Sequence, residues 1–104
     1  PLSMERLEQI LRNIFPLIKP DALEQFCGLF LDLQLKAKNG EISTKAVDMR
    51  GLIGAIRLIH GGLEPIEAVE MGIINKSFDN FERELISDIV MTRIPDTWKS
   101  GDVF

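Results

Sequence analysis

Runs of apolar residues at helical spacing, cut short by glycine and proline, constrain this chain more than any other feature. From Asp48 to Gly62, Leu52, Ile53, Ile56 and Ile59 recur at three- and four-residue steps, with Ala55 and Leu58 beside them. That period puts the apolar side chains on one helical face. Gly61-Gly62 follows, where a left-handed C-terminal cap sits. The same grammar recurs along the chain. Ser3 can cap a first helix whose stripe is Leu7, Ile10, Leu11 and Ile14, with Glu5 and Glu8 near its positive end. Pro16 and Pro20 bracket a break, because proline removes a donor and restricts the residue before it. Asp21-Ala-Leu-Glu24 has the spacing of a capping box. It predicts a second helix to about Lys38 with Leu23, Phe26, Cys27, Phe30, Leu33 and Ala37 on one side. Leu29, Leu31 and Leu35 widen the apolar surface, which makes this helix central. Asn39-Gly40 ends it.

Ser43 and Asp48 are both capping residues, and Gly51 lies just beyond. Together they favour a break near Asp48 over one continuous helix from Thr44 to His60. Pro65 suits a first helical position and opens a short helix carrying Ile66, Val69, Ile73 and Ile74 to about Asn75. Ser77 or Asp79 caps the last long helix, and Asp79-Asn-Phe-Glu82 repeats the capping-box pattern. Its expected core face is Phe81, Leu85, Ile86, Ile89 and Val90, and Pro95 marks its end. Residues 95–104 hold Trp98 and Phe104 without periodicity, so they are either draped on the domain or disordered. No β-branched alternation bounded by a hairpin turn is present. The expectation is an all-α fold, a compact bundle of five to six helices. It divides into an N-terminal helix and linker (1–19), a helical domain (20–94) and a C-terminal tail (95–104).

The 104 residues are enough for one hydrophobic core without disulfide staples. The net charge of −4, with no lysine or arginine run, argues against a nucleic-acid partner. A helix-turn-helix reading fails for the same reason: the helix after Gly61-Gly62, from Ile66 to Asn75, carries Glu67 and Glu70 and no arginine or lysine. No apolar tract approaches the roughly 18 residues of a membrane span, so no membrane association is expected. The single cysteine, Cys27, excludes an internal disulfide and suits a reducing compartment, hence a cytoplasmic protein. The chain opens at Pro1 rather than methionine, as a fragment of something longer would.

Several chemistries lack their residues. Gly51, Gly54, Gly61 and Gly62 are not followed by the Gly-Lys-Ser/Thr of a phosphate loop, and they read as sites of close helix approach or capping. One histidine and one cysteine cannot build a usual zinc site, so no metal site is expected. His60 reads as a surface residue favoured by a helix C-terminus, Cys27 as a small buried hydrophobe, and Glu64, Glu67 and Glu70 as a solvated face. No carboxylate is paired with a base as a catalytic dyad requires, so no catalytic residue is assigned in this chain.

Arg50 stands apart. It lies in the first turn of an apolar helix, at the positive end of the helix dipole. A cation there is unfavourable unless an anion or a carboxylate sits nearby, and Asp48 is placed to cap the helix and pair with it.

The run Asp48-Met-Arg50-Gly-Leu-Ile-Gly-Ala-Ile-Arg57-Leu-Ile, then Gly61-Gly62-Leu63-Glu-Pro65-Ile-Glu-Ala68, resembles the C-terminal helical lid of AAA+ ATPases. The MoxR-like group is the nearest, including its metalloenzyme-activating and gas-vesicle branches. The likeness spans roughly residues 20–94. In that family a Ser-x-Arg motif opens a lid helix, Arg-Leu-Ile follows seven residues later, and a Gly-Leu-x-Pro turn leads to a helix carrying Glu-Ala. The resemblance implies that Arg50 stands where the family's sensor-2 arginine reaches the terminal phosphates of ATP. Ser43-Thr-Lys45 is a second Ser-x-basic motif, which makes Lys45 the alternative phosphate contact. The resemblance further implies an ATPase large subdomain in the same parent chain, with ATP and magnesium bound there and none bound by this fragment alone. It also implies neighbouring subunits of a ring. The alternative is a free-standing helical protein–protein interaction domain with an exposed apolar groove.

Overall fold

The computed structural model describes residues 3–77 and 79–104. Ser3 begins α1 (Met4–Ile14) by accepting the Arg6 N–H on its hydroxyl at 3.1 Å. Leu7 and Leu11 are fully buried on the inner face of that helix, while Ile14 at its end is exposed. Pro16 and Pro20 hold the chain open, and α2 (Pro20–Lys38) then runs through the centre of the molecule. Ala22, Leu23, Phe26, Cys27, Leu29, Phe30 and Leu33 are all buried along it. The expected capping box at Asp21–Glu24 does not form. Pro20 itself is the first helical residue and Lys19 the cap, so Asp21 already lies inside the first turn. Burial also pushes the Cys27 thiol up to about 12, as befits an inert core residue.

Asn39-Gly40 closes α2 with Gly40 at φ 77°, its N–H donating to the Ala37 carbonyl and the Glu41 N–H to that of Lys36. This is a Schellman ending, and only glycine adopts that backbone freely. A 3-10 turn (Thr44–Ala46) and the Asp48 cap separate α2 from α3 (Met49–His60), so the chain breaks near Asp48. α3 ends in the same manner, with Gly62 at φ 111° and the Leu63 N–H on the Leu58 carbonyl.

α4 (Pro65–Gly72) packs on α3 more intimately than any other pair of helices. Glycines make this possible. A Cβ on Gly51 would stand 2.5 Å from the Gly72 carbonyl oxygen, and one on Gly72 would stand 2.7 Å from that of Gly51. Of the glycines expected to serve approach or capping, Gly54 does neither, since a Cβ there meets nothing within 4 Å. α4 also stops earlier than Asn75. Ile73 leaves helical geometry, and a 3-10 turn (Ile74–Lys76) carries the chain away.

Asp79 caps α5 (Asn80–Arg93) by accepting the Phe81 N–H at 2.9 Å. Glu82 does not complete a box with Asp79; its carboxylate accepts from the Ser43 hydroxyl at 2.8 Å and ties α5 to the turn before α3. Ile86, Ile89 and Val90 face the core, but Phe81, expected among them, is 75% exposed because the helix reaches the core only at Leu85. Arg93 joins α5 to α2 through two bonds to Asp32, at 2.8 and 3.3 Å, over the bare backbone of Gly28.

The tail is draped on the domain. Val103 is fully buried, and its carbonyl accepts the Lys19 N–H at 2.8 Å. Phe104 lies on His60, ring centroids 4.4 Å apart, and meets Phe15 edge-on at 5.9 Å. His60 is exposed at the end of α3, but it is an aromatic platform for the tail. Glu64 is likewise no simple solvated residue, because Lys99 binds it at 2.8 Å; Glu67 and Glu70 are exposed. The radius of gyration, 12.6 Å, matches the ~13 Å of a well-packed domain of this size, so α1 and the tail are not splayed. The fold is an all-α bundle of five α-helices, with no strand among the described residues.

Candidate functional site: a cationic cleft at the start of the third helix

Asp48 organises this region. With extended backbone at φ −113° and ψ 115°, it caps α3, its Oδ1 accepting the Arg50 N–H at 3.0 Å. The same carboxylate attracts two side chains. Lys76 Nζ donates to Oδ2 at 3.2 Å, and Arg50 Nε lies 3.6 Å from Oδ1. The amide bond, first of all, and then the lysine hold the Asp48 carboxyl below its usual value of 3.8.

A group with a depressed folded-state pKa stabilises the fold above its unfolded value, and the contribution disappears as pH falls through the folded one. Asp48→Asn keeps a capping oxygen and loses the charge. It is expected to be less stable than the native chain at pH 7 by at most about 1 kcal/mol, the worth of a partly exposed ion pair. That gap should close as the pH is taken below 3.8. Denaturant midpoints at pH 7 and pH 3 check this, and an unchanged gap at the lower pH would exclude an ionic role for Asp48.

Arg50 reaches outward from this cap with 93% of its side chain exposed. Its guanidinium therefore keeps most of its donors available. The cleft beside it, about 550 Å³, is lined by Thr44, Lys45, Val47, Asp48, Arg50 and Lys76. Both residues singled out from the sequence, Arg50 and Lys45, thus line one cleft, from α3 and the preceding 3-10 turn. Lys76 is the member that sequence reasoning missed. It arrives from a turn 28 residues beyond Asp48. The Gly51–Gly72 contact sets it there, with Lys76 Nζ 2.9 Å from where a Gly51 Cβ would be. No local signal in the sequence marks that juxtaposition.

Three cations, Lys45, Arg50 and Lys76, stand against one carboxylate in this cleft, and guanidinium and ammonium bonds to phosphate oxygens are among the stronger hydrogen bonds. The amino end of α3, its Arg50 amide taken by Asp48, adds a positive dipole. Among the described residues, no group of three or more histidine, cysteine, aspartate or glutamate side chains is placed to hold a metal ion. Nor, among the described residues, is any helix long and apolar enough to cross a membrane.

No family model matches the chain. It is 32% identical over 88 residues to an uncharacterised protein, YojN, of Bacillus subtilis strain 168. The match covers 85% of this chain and 29% of the relative, so the chain spans less than a third of that protein's length. No solved structure matches.

Proposed function

We propose that this chain is the lid (sensor-2) subdomain of a MoxR-like AAA+ ATPase. It closes over ATP held by a large subdomain of the same parent protein, and Arg50 reports the terminal phosphates to the ring of subunits. The observation that carries the reading is Arg50 itself: a guanidinium at the amino end of a helix, almost wholly exposed, beside a cleft whose other cations are Lys45 and Lys76. The resemblance of residues 20–94 to that family and the greater length of the YojN relative support it. ATP and magnesium belong to the large subdomain. Arg50 contributes charge stabilisation as phosphate oxygens gain negative charge in phosphoryl transfer.

In the full-length parent, Arg50→Ala is expected to lower ATP turnover by roughly tenfold or more, a loss of at least about 1.4 kcal/mol of transition-state stabilisation. The helicity of the lid should be unchanged. Unaltered turnover removes Arg50 from the mechanism, and a parent gene with no Gly-x-x-x-x-Gly-Lys-Ser/Thr segment ahead of this chain overturns the reading altogether.

A second reading, a helical protein–protein interaction domain, draws on the groove of about 320 Å³ between α2 and α5, where exposed Leu35 stands beside Leu85 and Ile89. It predicts partner binding that ignores nucleotide, lost on Leu35→Glu and indifferent to Arg50→Ala.

A further inference from the structure

Capping α3 does not require a charge at position 48. Serine or asparagine would accept the Arg50 N–H about as well as aspartate. The carboxylate does something more: its two oxygens serve two different cations, Arg50 at 3.6 Å from Oδ1 and Lys76 at 3.2 Å from Oδ2. These cations come from separate elements, the first turn of α3 and the turn after α4. One small anion already bridges them.

Their spacing is fixed by backbone. Gly51, next to Arg50, lies against Gly72 so closely that no Cβ fits at either position. Lys76 follows from Gly72 by one short turn, so its ammonium is delivered to the cleft by the helix crossing and not by a mobile loop. Lys45, from the 3-10 turn before α3, lines the same cleft.

We propose that Asp48 is a built-in competitor for phosphate and that Lys76 is a second phosphate-binding side chain beside Arg50. With no nucleotide bound, the carboxylate holds both cations together. The triphosphate of a bound nucleoside triphosphate, carrying several negative charges against one, takes them over. Asp48 then keeps only the Arg50 amide, so α3 stays capped while its two cations change partner. Because the carboxylate must be displaced, binding is weaker than the cleft's cations would otherwise give, and a nucleotide lacking the terminal phosphates displaces it less completely. This inference rests on the lid reading above.

The test is calorimetric binding of a slowly hydrolysed ATP analogue, and of AMP, to the full-length parent. Asp48→Asn is expected to tighten binding of the triphosphate about two- to fivefold, and Lys76→Met to weaken it by a similar factor, the range for an exposed ion pair. Lys76→Arg should restore the affinity, and AMP should be bound equally by all. Asp48 and Lys76 should be non-additive in the double variant, since one acts through the other. If Arg50→Ala cripples turnover while Asp48→Asn and Lys76→Met leave the analogue's affinity unchanged, the competitor is overturned and the lid stands. If Arg50→Ala also does nothing, the lid reading falls with it.

Discussion

Gly51→Ala is expected to destabilise the fold by about 1–3 kcal/mol, the usual penalty for forcing atoms into a packed interior. The same change at Gly54, one turn further along the same helix, should stabilise it by about 0.5–1 kcal/mol. The contrast follows from what surrounds each position. A methyl group on Gly51 collides with the Gly72 carbonyl oxygen at 2.5 Å and with Lys76 Nζ at 2.9 Å. The lysine can move aside, but the carbonyl belongs to α4 and cannot yield unless the two helices separate. The helix-propensity gain of about 1 kcal/mol for alanine over glycine is too small to offset that. At Gly54 the methyl enters open space, and only the propensity gain remains. Gly28 falls between them: its obstruction is the Arg93 guanidinium at 2.6 Å, the far end of a flexible side chain. Denaturant midpoints at constant m-value rank the variants. A Gly51→Ala chain as stable as the native one would mean that α3 and α4 do not meet backbone to backbone.

Val103→Asp is expected to release the tail. Val103 is fully buried, and sequestering a valine of that kind is worth up to about 3 kcal/mol. A carboxylate in its place has no partner in an apolar site, so the tail lifts away in preference to burying the charge. The cost is therefore limited to the free energy of docking the tail, and the rest of the bundle keeps its helices. Trp98, the chain's one tryptophan, is half-buried against the core and reports the event. Its emission should shift to longer wavelength and become accessible to a soluble quencher. The Lys19 amide, which donates to the Val103 carbonyl at 2.8 Å, should lose its protection from hydrogen exchange. Native-like fluorescence together with native exchange at Lys19 would contradict the docking.

The features legible in the sequence were those decided within a few residues. Ser3, Asp48 and Asp79 each accept an amide two or three residues on, so their capping depends on little beyond their neighbours. Gly40 and Gly62 adopt positive φ where helices must stop. The exceptions had competitors that the local pattern did not weigh. Pro20 entered the first helical position and pulled Asp21 out of its capping role. Phe81 shares a helical stripe with Leu85, but period says which way a residue faces and not how far along the helix the core extends. Glu82 had a longer-range partner in Ser43. The candidate site divides in the same way. Arg50 was conspicuous because a cation at a helix amino end conflicts with the local dipole. Lys76, in contrast, comes into place only after two glycines cross in three dimensions.

The bond between Lys19 and the tail bears on the order in which the molecule assembles. The packed pairs α1 with α2 and α3 with α4 close across short connections and can form while the ribosome is still adding residues. The strap cannot, because the Lys19 side chain and the Gly101 carbonyl it contacts are 82 residues apart. Closing so long a loop is less forbidding than it looks, since each doubling of length adds only about 0.6 kcal/mol. It is nonetheless a late event: Phe15 and His60 stay uncovered until Phe104 has been made. A nascent chain stalled between α5 and the tail would present that aromatic pair to the surroundings, the kind of transient apolar exposure that chaperones recognise.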